Sequence, residues 1–267
     1  MQTVRHHGRE TAYRLAGATG TVSAGDAGDD ERVLYVHGSG ATHRVWAAQY
    51  GADGPARPAA AVDLSGHGDS DDVDTEPGPE TLDAYARDVI AVARETNATV
   101  LAGNSLGGAV VQHVALDTEF EPSALVLAGT GAKLSVLDDL REWLTDDFER
   151  AVEFLHGDDR LFHDADERTL ERSKSEMRSA GQAVTRRDFL TCHTFDVRDR
   201  LDEIDTPALA VVGEHDSLTP PAYHEYLAER VPGCEYAEID DAAHLAMAER
   251  PIAFNRTVRA FLDGVER

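Results

Sequence analysis

The sequence predicts an α/β fold: a mostly parallel, doubly wound sheet with an inserted helical cap. Three observations predict it. Short apolar runs alternate with helical patterns at both ends of the chain, as strands buried on two faces require. Between 133 and 199 no strand pattern recurs, while large apolar residues continue at helical spacing. Finally, one apolar run ends in Gly103-Asn-Ser-Leu-Gly107 and a helical pattern follows directly, the setting of a sharp turn that presents a serine.

Taken in order, Thr11–Leu15 and Gly20–Ser23 read as a first hairpin. Arg32–His37 is an apolar run closed by Gly38-Ser-Gly40, and Ala59–Leu64 is another, closed by Gly66 and Gly68. From Thr81 to Arg94, Leu82, Tyr85, Ala86, Val89, Ile90 and Ala93 recur with helical period. Strand Thr99–Ala102 leads to Ser105, a helix carrying Ala109, Val110 and Val114 follows, and strand Ala124–Ala128 comes next. Past the interruption, strand Pro207–Val212, helix Tyr223–Val231, strand Glu235–Ile239 and helix Pro251–Leu262 restore the alternation. The expected division is a core of residues 1–132 and 200–267 with a helical cap of residues 133–199. Leu140, Trp143, Leu144, Phe148 and Val152 supply the cap's apolar side.

With 267 residues and 42% hydrophobic content, the chain can bury the core of one elaborated domain. No stretch nears the ~18 apolar residues of a membrane span, and Met1–Gly8 lacks a signal peptide's apolar core. Cys192 and Cys234 are too few for a disulfide framework. A soluble, cytoplasmic protein is expected. Fifty acidic residues face 25 basic ones, a net charge of −25, and lysine occurs only at 133 and 174. Such a chain repels nucleic acid and acidic membranes. Carboxylates spread along the whole length with so little lysine resemble proteins of salt-rich cytoplasms, where screening removes the self-repulsion; an acidic enzyme of ordinary salinity is the alternative.

The chemistry centres on Ser105. Gly103 and Gly107 flank it because a Cβ would crowd the turn, and the N–H of Leu106 would sit at a helix N-terminus, where developing negative charge is stabilised. Serine needs a base, and the base an orienting acid. Sites in parallel sheets gather at the strands' carboxyl ends. There Gly213-Glu-His-Asp216 offers Asp216, and Asp240-Asp-Ala-Ala-His244 offers His244. Glu214, Asp240 and Asp241 compete as the acid.

Five pieces, His37-Gly-Ser-Gly40, Asp63-Leu-Ser-Gly-His-Gly-Asp-Ser70, Gly103-Asn-Ser-Leu-Gly107, Gly213-Glu-His-Asp216 and Ala242-Ala-His244, occur in this order. Together they resemble the α/β-hydrolase family over essentially the whole chain. The resemblance implies Ser105 as nucleophile, His244 as base and Asp216 as orienting acid. It also implies an oxyanion hole from the N–H groups of Ser39 and Leu106. Alanines precede His244 where the family usually has a glycine. His37 is expected to brace the oxyanion loop, Asp63 and His67 to form a structural turn, and His215 to be an exposed loop residue. Trp143 and His193 are the candidate substrate contacts, with Cys192 beside them.

No H-E-x-x-H, P-loop or G-x-G-x-x-G is present, so neither metal nor cofactor is expected. The expected activity is hydrolysis of a small-molecule carboxylic ester, thioester or lactone with an apolar part. The same residues also suit carbon–carbon hydrolysis, lyase, acyltransferase or perhydrolase chemistry, and a non-catalytic receptor stands further off. Displacement at haloalkanes or epoxides is disfavoured, because those relatives carry aspartate where Ser105 stands.

Overall fold

The computed structural model describes residues 1–16, 32–51, 54 and 59–265. Its strands are β1 (Gln2–His6), β2 (Arg9–Ala16), β3 (Arg32–Val36), β4 (Ala59–Val62), β5 (Ala98–Asn104), β6 (Ala124–Ala128), β7 (Ala208–Gly213) and β8 (Cys234–Ile239). Among the described residues they form one sheet in the order β1-β2-β4-β3-β5-β6-β7-β8. Only the β1–β2 and β2–β4 pairs are antiparallel. Thr11–Leu15 is therefore a strand, but its hairpin partner is β1, across the His7–Gly8 turn, where both residues have positive φ. The other expected partner, Gly20–Ser23, lies outside the described residues.

Alternation along the strands decides which helices cover which face. Leu34 and Val36 of β3 point to one side, where α2 (Pro79–Thr96), α3 (Leu106–Asp117) and α8 (Pro221–Arg230) contribute Tyr85, Val89, Val110 and Leu227. Val33 and Tyr35 point to the other. There the short α1 (Ala47–Tyr50) and α9 (Ala246–Glu249) lie with α10 (Pro251–Val265), and Trp46, Met247, Phe254, Val258 and Phe261 close the core. Because both faces are buried, the central strands read as unbroken apolar runs rather than as alternating ones.

Between β6 and β7 run four helices: α4 (Asp138–Asp146), α5 (Phe148–Leu155), α6 (Glu167–Ala180) and α7 (Gln182–Thr194). Two of them start at aspartate caps. Asp147 accepts the Arg150 N–H and Asp166 the Thr169 N–H, which satisfies a donor that a helix start otherwise leaves unpaired. The insert has its own apolar cluster of Leu140, Leu144, Ala151, Val152, Leu155 and Met177. A β-bridge from Lys133 to Asp196, reinforced by their ion pair at 3.2 Å, closes its neck. No helix among the described residues is long and apolar enough to cross a membrane.

Candidate active site

Ser105 lies between β5 and α3 with φ 55 and ψ −116, a conformation that a residue with a Cβ keeps only when its surroundings enforce it. They do so through two hydrogen bonds. The Ser105 N–H donates to the Ala128 carbonyl at 3.0 Å, and the Thr130 hydroxyl donates to the Ser105 carbonyl at 2.9 Å. The flanking glycines are required by contact. A Cβ at Gly103 would stand 2.2 Å from the Gly107 carbonyl oxygen, and one at Gly107 would stand 2.4 Å from that of Val36. Leu106 opens α3, so its N–H is among those that the helix leaves without an internal partner.

Asp216 and His244 come from the loops after β7 and β8. Both are nearly inaccessible, at 2% and 4% exposure. Asp216 Oδ1 accepts the N–H groups of Leu218 (2.9 Å) and Thr219 (2.8 Å). Asp216 Oδ2 accepts the Thr219 hydroxyl (2.7 Å) and lies 2.9 Å from His244 Nδ1. Burial pushes the Asp216 carboxyl up, but His244 and the Thr219 donors outweigh it and hold the group below its ordinary range. An ionised carboxylate only accepts, so Nδ1 of His244 donates and Nε2 is left free for the cavity side. Of the four acids considered, Asp216 is the one bonded to this imidazole; Glu214, Asp240 and Asp241 are exposed.

The His244 loop is fixed from two directions. Its own N–H donates to the Arg160 carbonyl (3.1 Å), and that of Leu245 donates to the Leu161 carbonyl (3.0 Å), both in the insert. The amide of Asn104, next to Ser105, donates to the His244 carbonyl at 3.3 Å. Ser105 and His244 line one cavity. No direct hydrogen bond joins their side chains among the described residues.

The loop after β3 is braced from below and from the insert. His37 is fully buried; its Nε2 accepts the Leu64 N–H (3.0 Å), so its Nδ1 carries the proton and donates to the Gly38 carbonyl (2.8 Å). Burial and the neighbouring His67 push His37 down to about 4, which leaves it neutral. From α7, Asp188 Oδ2 accepts the Gly40 N–H at 3.2 Å and meets His67 Nε2 at 2.9 Å, while its Oδ1 accepts the Tyr85 hydroxyl at 2.6 Å. Burial favours the uncharged form of Asp188, yet His67, Tyr85 and Arg187 hold its carboxyl below the ordinary value. His67 thus belongs to a buried brace and is absent from the cavity wall. His43 and Asp63 form the corresponding pair beneath the next turn, at 2.9 Å.

The cavity has a volume of about 380 Å³ and joins Ser39, Ser105 and His244 to an apolar wall that includes Phe154, Met177, Phe189 and Leu218. The two expected substrate contacts stand one layer back. Trp143 packs edge-on against Phe154 at 5.2 Å under the Arg150 guanidinium, so it supports the wall and does not face the cavity. His193 Nδ1 accepts the N–H of Val136 at 3.2 Å; it too holds a lining residue instead of lining. Cys192 does reach the cavity, with its thiol pushed up to about 12 by burial. Sequence reasoning missed Met177. The signal was its spacing of seven from Leu170 on the otherwise polar α6, two turns along one stripe. Thr219 and Asp188 were missed as well.

Comparison with known proteins places these features in a family. The profile of the alpha/beta hydrolase family matches residues 33–257, and the chain belongs to that family. It is 30% identical over 251 residues to the pimeloyl-[acyl-carrier protein] methyl ester esterase of Neisseria meningitidis serogroup A, covering 88% of this chain and 78% of the relative. The corresponding esterase of Photorhabdus laumondii is 31% identical over 245 residues, covering 86% and 90%. Among solved structures, a thermophilic esterase superposes with a TM-score of 0.84 at 29% identity, covering 99% of this chain and 97% of that one. The enol-lactonase of Burkholderia xenovorans shares the fold at a TM-score of 0.78 and 23% identity, covering 98% and 100%.

Proposed function

We propose that the protein is a serine hydrolase of carboxylic esters in which Ser105 is the nucleophile, His244 the general base and Asp216 its orienting acid. The observation that carries this is the buried 2.9 Å contact from Asp216 to His244 Nδ1, on a cavity whose wall also holds a strained, half-buried serine. With Nδ1 committed to Asp216, Nε2 takes the Ser105 proton as Oγ attacks the ester carbonyl. The oxyanion then forms between the N–H groups of Ser39 and Leu106, each worth roughly 100- to 1000-fold in rate. His244 returns the proton to the leaving alcohol, then activates the water that releases the acid and frees Ser105.

The apolar wall favours an ester with a hydrocarbon acyl or alcohol part, and residues 133–199 act as the cap that supplies most of it, beside Leu218 of the core. The relatives' names point to methyl esters as the first substrates to try. Two free cysteines suit a reducing cytoplasm, which is where we assign the protein. The test is a panel of methyl esters, thioesters and lactones of rising acyl length, run alongside labelling by a serine-directed phosphonate. Wild type should turn over an ester and be labelled at Ser105. Ser105→Ala should lose on the order of 10⁶ in turnover; a folded Ser105→Ala protein that keeps its activity refutes the assignment.

A further inference from the structure

Outside the cavity, one group of side chains has no part in the chemistry above. Asp159 and His163, from the insert, meet His215, from the loop that carries Asp216, and their ligand atoms all lie within 4.8 Å of one another. His163 Nδ1 is 2.6 Å from Asp159 Oδ1. The imidazoles of His163 and His215 stack with centroids 3.7 Å apart and planes 17° from parallel. None of the three lines the cavity. A second trio, Glu214, His215 and Asp241, shares the His215 ring.

The backbone beneath this cluster is held in place. The Ser217 N–H donates to the Asp159 carbonyl at 3.0 Å, and the Ser217 hydroxyl reaches the same oxygen. Glu249 accepts the N–H groups of His163 (2.8 Å) and Asp164 (3.0 Å) through one oxygen and that of Ala243 (2.7 Å) through the other. The backbones of the insert segment and the two core loops are therefore fastened together before any ligand arrives, and the stacked rings have only to rotate about their side-chain bonds to aim their in-plane nitrogen lone pairs at one ion. Two imidazoles and a carboxylate are a donor set for borderline divalent ions, whose tetrahedron needs a fourth ligand, and Glu214 and Asp241 beside His215 offer carboxylates for that position. Hard ions such as Mg²⁺ prefer oxygen alone.

We propose that Asp159, His163 and His215 bind one zinc-class divalent ion, with Glu214 and Asp241 flanking it, and that the ion pins the insert to the loop carrying Asp216. Its role is structural: the ion lies outside the cavity and touches no reacting atom. The inference does not depend on what the cavity hydrolyses.

Titrating the full-length, metal-stripped protein with Zn²⁺, in saline buffer containing excess Mg²⁺, tests it. Wild type should take up one equivalent and unfold at a higher temperature with Zn²⁺ than without. The doubly substituted His163→Gln, His215→Gln protein should bind at least about 100-fold more weakly, the scale reached when even outer-shell partners of a metal are lost. Its metal-free unfolding temperature should stay close to wild type, because these side chains are at the surface. A separate histidine pair, His6 and His7, lies 3.1 Å apart on the first hairpin and serves as the control; their replacement by Gln should leave the zinc stoichiometry unchanged. Zinc uptake that survives in the His163→Gln, His215→Gln protein, or no stoichiometric uptake by wild type, overturns the proposal.

Discussion

Asp188, on α7 of the insert, accepts the backbone N–H of Gly40 at 3.2 Å, so an aspartate far along the chain holds the loop that presents the Ser39 N–H. Asp188→Asn keeps the shape but sets an amide against the donors of His67 and Tyr85. Partial loss of such a buried network costs about 3 kcal/mol or more. We expect lower stability in urea and a fall in kcat of at least tenfold, with KM little changed. A variant of unchanged kcat would mean that the loop keeps its position without this contact.

Thr219 gives a finer test of the acid. Its hydroxyl and N–H both reach Asp216, so Thr219→Val removes one of two Thr219 donors at nearly constant volume. The expected cost is about 1–2 kcal/mol of stability and roughly tenfold in kcat. Asp216→Asn should lose about 10⁴ by leaving His244 in the wrong tautomer. Steady-state kinetics on the two variants reads the difference; equal effects would remove Asp216 from its role.

Much of this arrangement could be read before any coordinates, and the reason is local. The turn at Ser105 needs glycine at 103 and 107 because backbone oxygens stand where a Cβ would go, so the motif encodes its own geometry. Asp216 and His244 were legible because each follows the end of a strand. Trp143 was misplaced because helical spacing fixes the buried side of a helix without showing what lies beyond it; the next layer is Phe154, from α5. Asp188 escaped notice for a related reason. A lone aspartate in an amphipathic helix looks solvated, and only the fold brings His67, Tyr85 and Gly40 around it.

Two imidazoles make acid stability measurable. Burial first, and then neighbouring positive charge, push His37 to about 4, and burial does the same for His224. Both lie below the ordinary 6.5, so between these values the unfolded chain binds protons that the folded chain excludes. Their contribution to stability is complete above pH 6.5, is lost as the pH falls toward 4, and is worth at most about 3 kcal/mol each. His67, raised by Asp188 despite its burial, works in the opposite sense, since its contribution fades as the pH rises through its folded value. Urea midpoints from pH 7.5 down to 5 should fall, and His224→Gln should flatten that slope by up to one proton's worth.

The net charge of −25 sets the salt response. From about 0.01 to 1 M salt the screening length shrinks from roughly 30 to 3 Å, and repulsion between carboxylates spread over the surface collapses with it. The unfolding temperature should climb steeply over that range and esterase activity with it. Equal stability in dilute buffer and in concentrated salt would set the halophilic reading aside.

The two backbone hydrogen bonds from His244 and Leu245 to Arg160 and Leu161 limit how this enzyme can breathe. If the whole insert swung away like a door, it would drag the imidazole off its carboxylate at the moment of substrate entry. The stitched side therefore stays put, and because Asp188 of α7 ties the insert to the Gly40 loop on the serine's other flank as well, the insert is held to the core at two separate places.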